Sequence, residues 1–279
     1  MPEKTDPTLP DGTIRCFAPA KINLTLHVTG QRNDGYHLLD SLVVFAAVGD
    51  RLWLTPGSDL MLEIAGPFAP GVPSDARNLV WQAAELAGWC GHIRLEKHLP
   101  HGGGIGGGSA DAGAVLRALG VQDGAVSLGA DVPVCQFGRA ARMLGIGDQI
   151  APAADVMSFF AVLVNPGVHI ATPTVFQNLV VKDNPPMPDL PAAGSGDRIW
   201  IDWLAAQRND LEGAARQLAP AIGDVCSALA ETDEVLLVRM SGSGSTCFGL
   251  YPSMSDAQTA AKALATRHPD WWCVPTVLN

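Results

Sequence analysis

Apolar and polar positions alternate along this chain with two different periods, and their order predicts a mixed α/β protein. In "KINLTLHV" Ile22, Leu24, Leu26 and Val28 alternate with Lys21, Asn23, Thr25 and His27. A period of two predicts a half-buried strand, here with Lys21 and Asn23 side by side on its polar face. Asp34-Gly35 then marks a turn. "LVVFAAV", "DRLWL", "DLMLEIAG" and "HIRLEKH" predict further strands. "NLVWQAAELAG" carries Val80, Ala83, Ala84 and Ala87 at helical spacing. Ala112, Val115, Leu116 and Leu119 follow i, i+3, i+4 and i+7, which predicts a helix from Ser109. "GADVPV" opens another short helix, and "ARMLGIG" reads as a strand.

The second half begins near "FFAVLVNPG". A Pro- and Gly-rich loop, "DNPPMPDLPAAGSGD", leads to helices near Trp200–Leu204, Leu211–Leu218 and Ile222–Ala230. Strand "EVLLVRM", turn "SGSGS", strand "TCFGLY", helix "DAQTAAKALATRH" and strand "WWCVPTVL" complete it. This is the split β-α-β order of a ferredoxin-like domain. The expected domains are 1–153 and 154–279.

One stretch is out of proportion to the rest. In "HLPHGGGIGGGSADAGAVLRAL" six of the seven residues from Gly102 to Gly108 are glycine. Each glycine loses more backbone freedom on ordering than any other residue. Between a strand and a helix that loss has a use: bare N–H groups can approach a ligand, and the helix N-terminus favours an anion. The chemistry predicted is phosphate binding. A Walker A loop is excluded, because Ser109 stands where lysine is required. Gly102, Gly104 and Gly107 match the dinucleotide fingerprint formally, but the acid that should bind the ribose falls at Ser127.

Composition narrows the partners. The 279 residues are 47% apolar, enough for a sizeable core, and carry a net charge of −10. That charge argues against a nucleic-acid or anionic-membrane surface, without excluding a local anion pocket. The opening "MPEKTDPTLPDGT" has no apolar core of a signal peptide. The longest apolar runs are strand-length. Six cysteines stand singly, with no C-x-x-C pair, and are expected to be reduced buried thiols in a cytoplasmic protein. His92, His98 and His101 lack a carboxylate or cysteine at metal-ligand spacing and read as exposed histidines. Trp200, Trp203, Trp271 and Trp272 read as core or interface.

The stretch "PHGGGIGGGSADAGA" resembles the ATP loop of the GHMP kinases. "APAKINLTLHVTGQRNDGYHLLDSL", "LGADVPV", "NPGVHIATPTVF", "RNDLE" and "MSGSGSTCFGLY" follow in the family's order and spacing, so the resemblance covers nearly the whole chain. It implies a two-domain GHMP-kinase fold of the α/β (α+β) class, with an N-terminal ATP-binding domain on a mixed sheet and a ferredoxin-like C-terminal domain. It implies transfer of the ATP γ-phosphoryl to a hydroxyl, with Mg²⁺ carried by the ATP. The implied acceptor is the 2-hydroxyl of a methylerythritol bearing a cytidine diphosphate, in the non-mevalonate isoprenoid route.

The same resemblance implies the site. Asp131 would be the catalytic base and Lys21 its electrostatic partner. Local sequence alone favours a helix N-cap for Asp131 and a solvated strand-face position for Lys21. Asn78, Lys97, Pro100, Gly102, Gly103, Gly104, Ile105, Gly106, Gly107, Gly108 and Ser109 would bind ATP. Asn23, Tyr36, His37, Thr172, Phe176, Gly242 and Ser243 would bind the acceptor, with Tyr36 and Phe176 sandwiching the cytosine. Without the resemblance Phe176 reads as plain core. The chain departs from the family at Ala110, where a second hydroxyl usually follows, and this leaves Ser109 as the candidate Mg²⁺ ligand. Another GHMP kinase, acting on mevalonate, homoserine or a sugar, and a non-catalytic ligand sensor are the alternatives. The oligomeric state is open, a homodimer included.

Overall fold

The computed structural model describes residues 10–279. The first nine residues, which make up most of the opening stretch read as lacking a signal peptide, lie outside the described residues. In chain order the elements are β1 (Ile14–Asn23), β2 (His27–Gln31), β3 (His37–Pro56), β4 (Met61–Ala65), α1 (Leu79–Leu86), β5 (Gly91–Glu96), α2 (Gly107–Ala118), α3 (Val132–Phe137), β6 (Ala141–Gly145), β7 (Gln149–Pro152) and β8 (Phe159–Asn165). Then come α4 (Thr172–Gln177), α5 (Asp197–Ala205), α6 (Glu212–Leu218), α7 (Ala221–Ala230), β9 (Leu237–Met240), β10 (Cys247–Tyr251), α8 (Met254–Arg267) and β11 (Trp272–Leu278).

The chain forms two compact units. The first contains residues up to 20, 48–101 and 107–138; the second contains 21–47, 102–106 and 139–279. The second therefore draws on both sides of position 153.

In the first unit β5 lies between two partners. It runs antiparallel to the end of β3, Arg51–Pro56, and parallel to β4. Helices α1 and α3 pack on α2. Ala110 through Leu116 are all buried, so α2 is a core helix rather than the one-faced helix its apolar spacing predicts. It begins at Gly107, two residues before Ser109. Against α3 it makes a backbone-to-backbone contact: a Cβ on Gly113 would lie 2.6 Å from the carbonyl carbon of Cys135. Only glycine permits that approach, and it fixes the helix that follows Asp131 against the helix that follows the glycine loop.

The second unit holds an antiparallel sheet in the order β11-β8-β10-β9. Numbered among themselves these strands read 4-1-3-2, the ferredoxin-like arrangement expected. Val162 and Val164 of β8 meet Ile222, Val225 and Leu229 of α7 and Ala257, Ala261 and Leu264 of α8 in one core cluster. The start of β3 pairs with β2 and β6, and β6 with β7.

Four expectations change. "LVVFAAV" and "DRLWL" belong to a single strand, β3, because no turn residue pair separates them strongly enough to stop the ladder. "KINLTLHV" is not one half-buried strand. It breaks after Asn23, and Lys21, Asn23, Thr25 and His27 are all buried. The reason is that its backbone serves several neighbours. Lys21 N donates to Ile105 O, Leu24 N to Leu42 O and Leu26 N to Arg208 O, while Leu26 O accepts from Asp210 N. Strand β7 and helix α4 were not anticipated. Nor are all the thiols buried: Cys90 is exposed and Cys16 and Cys273 are half-buried, although all six are free. Trp200 is fully buried, edge-on to Phe159 and Trp203.

Candidate active site

The glycine-loop residues Gly102–Gly106 are held on their carbonyl side. Gly103 O accepts from Thr246 N at 2.9 Å, Gly104 O from Ser241 Oγ at 3.1 Å and Ile105 O from Lys21 N at 2.9 Å. A trans peptide points its C=O and the next N–H in opposite directions. The N–H groups of Gly104, Ile105 and Gly106 therefore all face away from those partners. Successive backbone N–H groups turned away from such supports are the ingredients of an anion nest. Gly104 has φ +71°, and a Cβ there would lie 2.7 Å from Gly244 N. A side chain is excluded on both counts.

The second small-residue turn is the loop's support. Ser241 Oγ also accepts from Asn23 N at 3.1 Å. The Asn23 amide donates to Ser41 Oγ at 2.8 Å. Ser243 Oγ and Thr172 Oγ1 lie 2.8 Å apart. In the second unit, then, Lys21, Asn23, Gly102–Gly106, Gly242, Ser243 and Thr172 are brought together by direct hydrogen bonds and backbone packing. His169, which the sequence did not single out, lies against Gly102, where its ring would clash with any Cβ.

The aromatic residues are arranged differently from the sandwich expected of Tyr36 and Phe176. The ring stacked on Phe176 is His37, at 4.9 Å between centroids and 22° between planes. Burial and the Lys182 charge hold the His37 imidazole below the usual histidine range. Tyr36 is 60% exposed. Its backbone N–H is held by Asp34 Oδ1 at 3.2 Å, which leaves the ring projecting from the turn.

In the first unit lie Asn78, Lys97, Pro100, Gly107, Gly108, Ser109 and Asp131. Asn78 caps α1: its Oδ1 accepts from Val80 N at 2.9 Å, and its amide donates to Pro73 O. Lys97 is 4% exposed. Its ammonium donates to Asp50 Oδ2 and, at 2.6 Å, to Asp111 Oδ2. Asp50 Oδ1 in turn accepts from His98 N and Leu99 N, the residues leading into the loop. The cluster lies beneath the start of α2, where a Cβ on Gly107 would be 3.5 Å from Lys97 Nζ. Burial pushes the Asp111 carboxyl up to about 8, against the attraction of Lys97. Burial pulls the Lys97 ammonium down, but the two carboxylates outweigh it and its pKa lies above the ordinary lysine value. Both side chains that the resemblance put near the adenosine are thus engaged within the protein.

Asp131 stands at the N-cap of α3, as its local sequence suggests, with Pro133 in the first turn. Yet its side chain makes no capping hydrogen bond. Asp50, Asp111 and His169 were absent from the sequence reading. Only Asp111 left a signal there, an acid inside an otherwise small and apolar helix.

Comparison with known proteins identifies the family. The N-terminal GHMP kinase domain model matches residues 78–151 and the C-terminal one residues 190–270. The chain is 57% identical to 4-diphosphocytidyl-2-C-methyl-D-erythritol kinase of Dinoroseobacter shibae, over 95% of each chain. It is 53% identical to the enzyme of that name from Cereibacter sphaeroides, over 93% of this chain and 97% of the relative. A crystal structure of 4-(cytidine 5'-diphospho)-2C-methyl-D-erythritol kinase superposes with a TM-score of 0.75 at 33% identity, covering 95% of this chain and 99% of that one. Homoserine kinase from Cytophaga hutchinsonii shares the fold, with a TM-score of 0.62 at 18% identity. With more than half of its residues identical to those of enzymes of this name across 93–95% of its length, the chain belongs to the 4-diphosphocytidyl-2-C-methyl-D-erythritol kinase family of the GHMP kinases.

Proposed function

We propose that the chain transfers the γ-phosphoryl of ATP to the 2-hydroxyl of 4-diphosphocytidyl-2-C-methyl-D-erythritol, giving the 2-phosphate and ADP. The chain is a small-molecule kinase, and ATP is its co-substrate. The observation that carries the specific reading is the identity of over half the chain to kinases named for this substrate, on a glycine loop whose carbonyls are tied down and whose N–H groups turn away from those ties.

Phosphoryl transfer asks a protein for position and charge rather than covalent chemistry. The nest N–H groups bind the ATP phosphates, and the N-terminus of α2 adds its positive end. Asp131 accepts the proton of the acceptor hydroxyl as that oxygen attacks. Lys21 places positive charge where negative charge develops. Tyr36, His37 and Phe176 hold the cytosine, while Asn23, Thr172, Gly242 and Ser243 hold the diphosphate and methylerythritol. Asn78, Lys97 and Pro100 serve the ATP, the first two by holding the backbone of their own unit.

Mg²⁺ neutralises phosphate charge when bound. Among the described residues no group of three His, Cys, Asp or Glu side chains is arranged to hold a metal. The proposal therefore assigns the ion to the ATP phosphates and water, with the Ser109 hydroxyl in the first turn of α2 as protein ligand.

The test is ADP release by the purified protein with MgATP and the cytidylyl substrate, with mevalonate and homoserine in parallel. ADP with the cytidylyl substrate alone is expected. Turnover with either control instead would keep the kinase class and overturn the substrate.

A further inference from the structure

The motif "RNDLE", Arg208–Glu212, carries part of the family resemblance but has no part in the chemistry above. The structure assigns Asn209 a role: we infer that it is a positioning residue for phosphoryl transfer, holding the turn at 241–245 against the glycine loop. The inference rests on the kinase reading.

Asn209 is buried, and its carboxamide is fully used. Nδ2 donates to Met240 O and to Gly242 O, each at 2.8 Å, and Oδ1 accepts from Leu211 N at 3.0 Å. Asparagine is the one side chain of this size with two donors and an acceptor in a plane. Both donors go to the turn, and the acceptor ties the amide to the start of α6.

Glu212 of the motif braces the same segment, while Asp210 and the nearby Arg239 tie the motif's surroundings to other strands and helices. Glu212 Oε2 accepts from Met240 N at 3.1 Å, so Met240 is held on both its backbone sides. Asp210 Oδ2 accepts from Val28 N at 2.7 Å and Oδ1 from Arg208 Nε at 2.7 Å. Arg239 donates to Leu24 O, Leu204 O and Gln207 O.

From Asn209 the path to the phosphate nest is short and continuous. Met240 and Gly242 flank Ser241, whose hydroxyl donates to Gly104 O. That bond orients the Gly104–Ile105 peptide, and so the Ile105 N–H. A Cβ on Gly242 would lie 2.6 Å from Gly104 O, so turn and loop are in backbone contact. By the same planarity, fixing Gly242 O to Asn209 turns the Ser243 N–H to the far side. Asn209 thus fixes the Gly242–Ser243 peptide directly and, through Ser241, bears on the Gly104–Ile105 peptide, and on the kinase reading it acts on the phosphoryl through these without touching it.

The test uses the full chain. Asn209→Asp puts a carboxylate oxygen opposite two carbonyl oxygens while keeping size and the acceptor for Leu211 N. Thr232→Ala is the control: it loses hydrogen bonds to Leu229 O and Tyr251 OH in the same unit, with no link to the turn. The expected result is a kcat lowered about 100-fold, the scale of a misplacement near 1 Å. KM for the cytidylyl substrate should stay within about threefold, and Thr232→Ala should keep its kcat. Should Asn209→Asp not fold, Asn209→Ser removes the two donors without adding charge, and the same split is read on it. A wild-type protein that turns over while the Asn209 variant keeps the kcat of the Thr232 control overturns this inference alone. A wild type inert with the substrate removes the kinase reading and the inference with it.

Discussion

Lys97 Nζ lies 2.6 Å from Asp111 Oδ2 beneath the first turn of α2, and the same ammonium binds Asp50. All three groups are buried. Removing one partner of such a cluster leaves charge without compensation, which typically costs about 3–5 kcal/mol. Lys97→Met should therefore lower the free energy of unfolding, measured in urea, by that order. Replacing Asp50 with asparagine in the same variant should recover part of it. A loss below about 1 kcal/mol would mean that the cluster contributes no more than an exposed pair.

This cluster also marks where the sequence stops being readable. Helix α2 was legible because its apolar spacing is local, and the ferredoxin order because strands and helices alternate plainly from 159 onward. Asp50 and Lys97 are 47 positions apart, and no local pattern joins them. The polar face of "KINLTLHV" was misread for a related reason. Polar residues normally face water, but here Thr25 Oγ1 accepts from Leu42 N and Ser41 Oγ donates to Thr25 O. Partners supplied by distant segments buried that face. The candidate site is legible through motif order, and with it the 241–245 turn as a contact to the loop, whereas the part of Asn209 emerges only from hydrogen bonds.

Gly104→Ala should abolish turnover without unfolding the protein. The new Cβ meets Gly244 N at 2.7 Å, and φ +71° is strained for alanine. The loop must move off the turn. Steady-state kinetics should show kcat reduced by about 100-fold or more, with circular dichroism unchanged.

Asp131→Asn tests the base. Because the Asp131 side chain makes no capping bond, α3 loses no cap. Ser253→Ala offers the contrast: Ser253 Oγ caps α8 through Asp256 N, and its loss should cost about 1 kcal/mol. Asp131→Asn should instead lower kcat by about 10²–10⁴. Near-normal turnover would remove Asp131 from the mechanism.

Tyr36→Ala should leave stability unchanged, since the ring is largely exposed. Loss of a stacking face on a base is worth about 1–3 kcal/mol. KM for the cytidylyl substrate should rise accordingly while KM for ATP holds. Equal changes in both would point to a general disturbance of the turn.

His27 sets a pH limb. Burial, then the Arg208 charge, hold its imidazole below the ordinary value of 6.5. The unfolded chain takes up the proton near 6.5, whereas the folded chain takes it up only at lower pH. Stability is therefore full above about 6.5 and falls as pH drops through the folded value. His37, shifted in the same direction, adds to this limb. Urea midpoints at pH 5 and 7.5 should differ, and His27→Gln should shrink the difference.

The order β11-β8-β10-β9 has a consequence for synthesis. Strand β8 pairs with β11 along its whole length, from Asn165 opposite Trp272 to Phe159 opposite Leu278. On the ribosome β8 emerges long before that partner exists. At ordinary translation rates the wait is roughly 5–20 s. Throughout it the β8 backbone from Phe159 to Asn165 lacks that partner, and an unpaired strand is the kind of template that captures stray strands. The interval before Trp272 is translated is when this protein should depend most on chaperones.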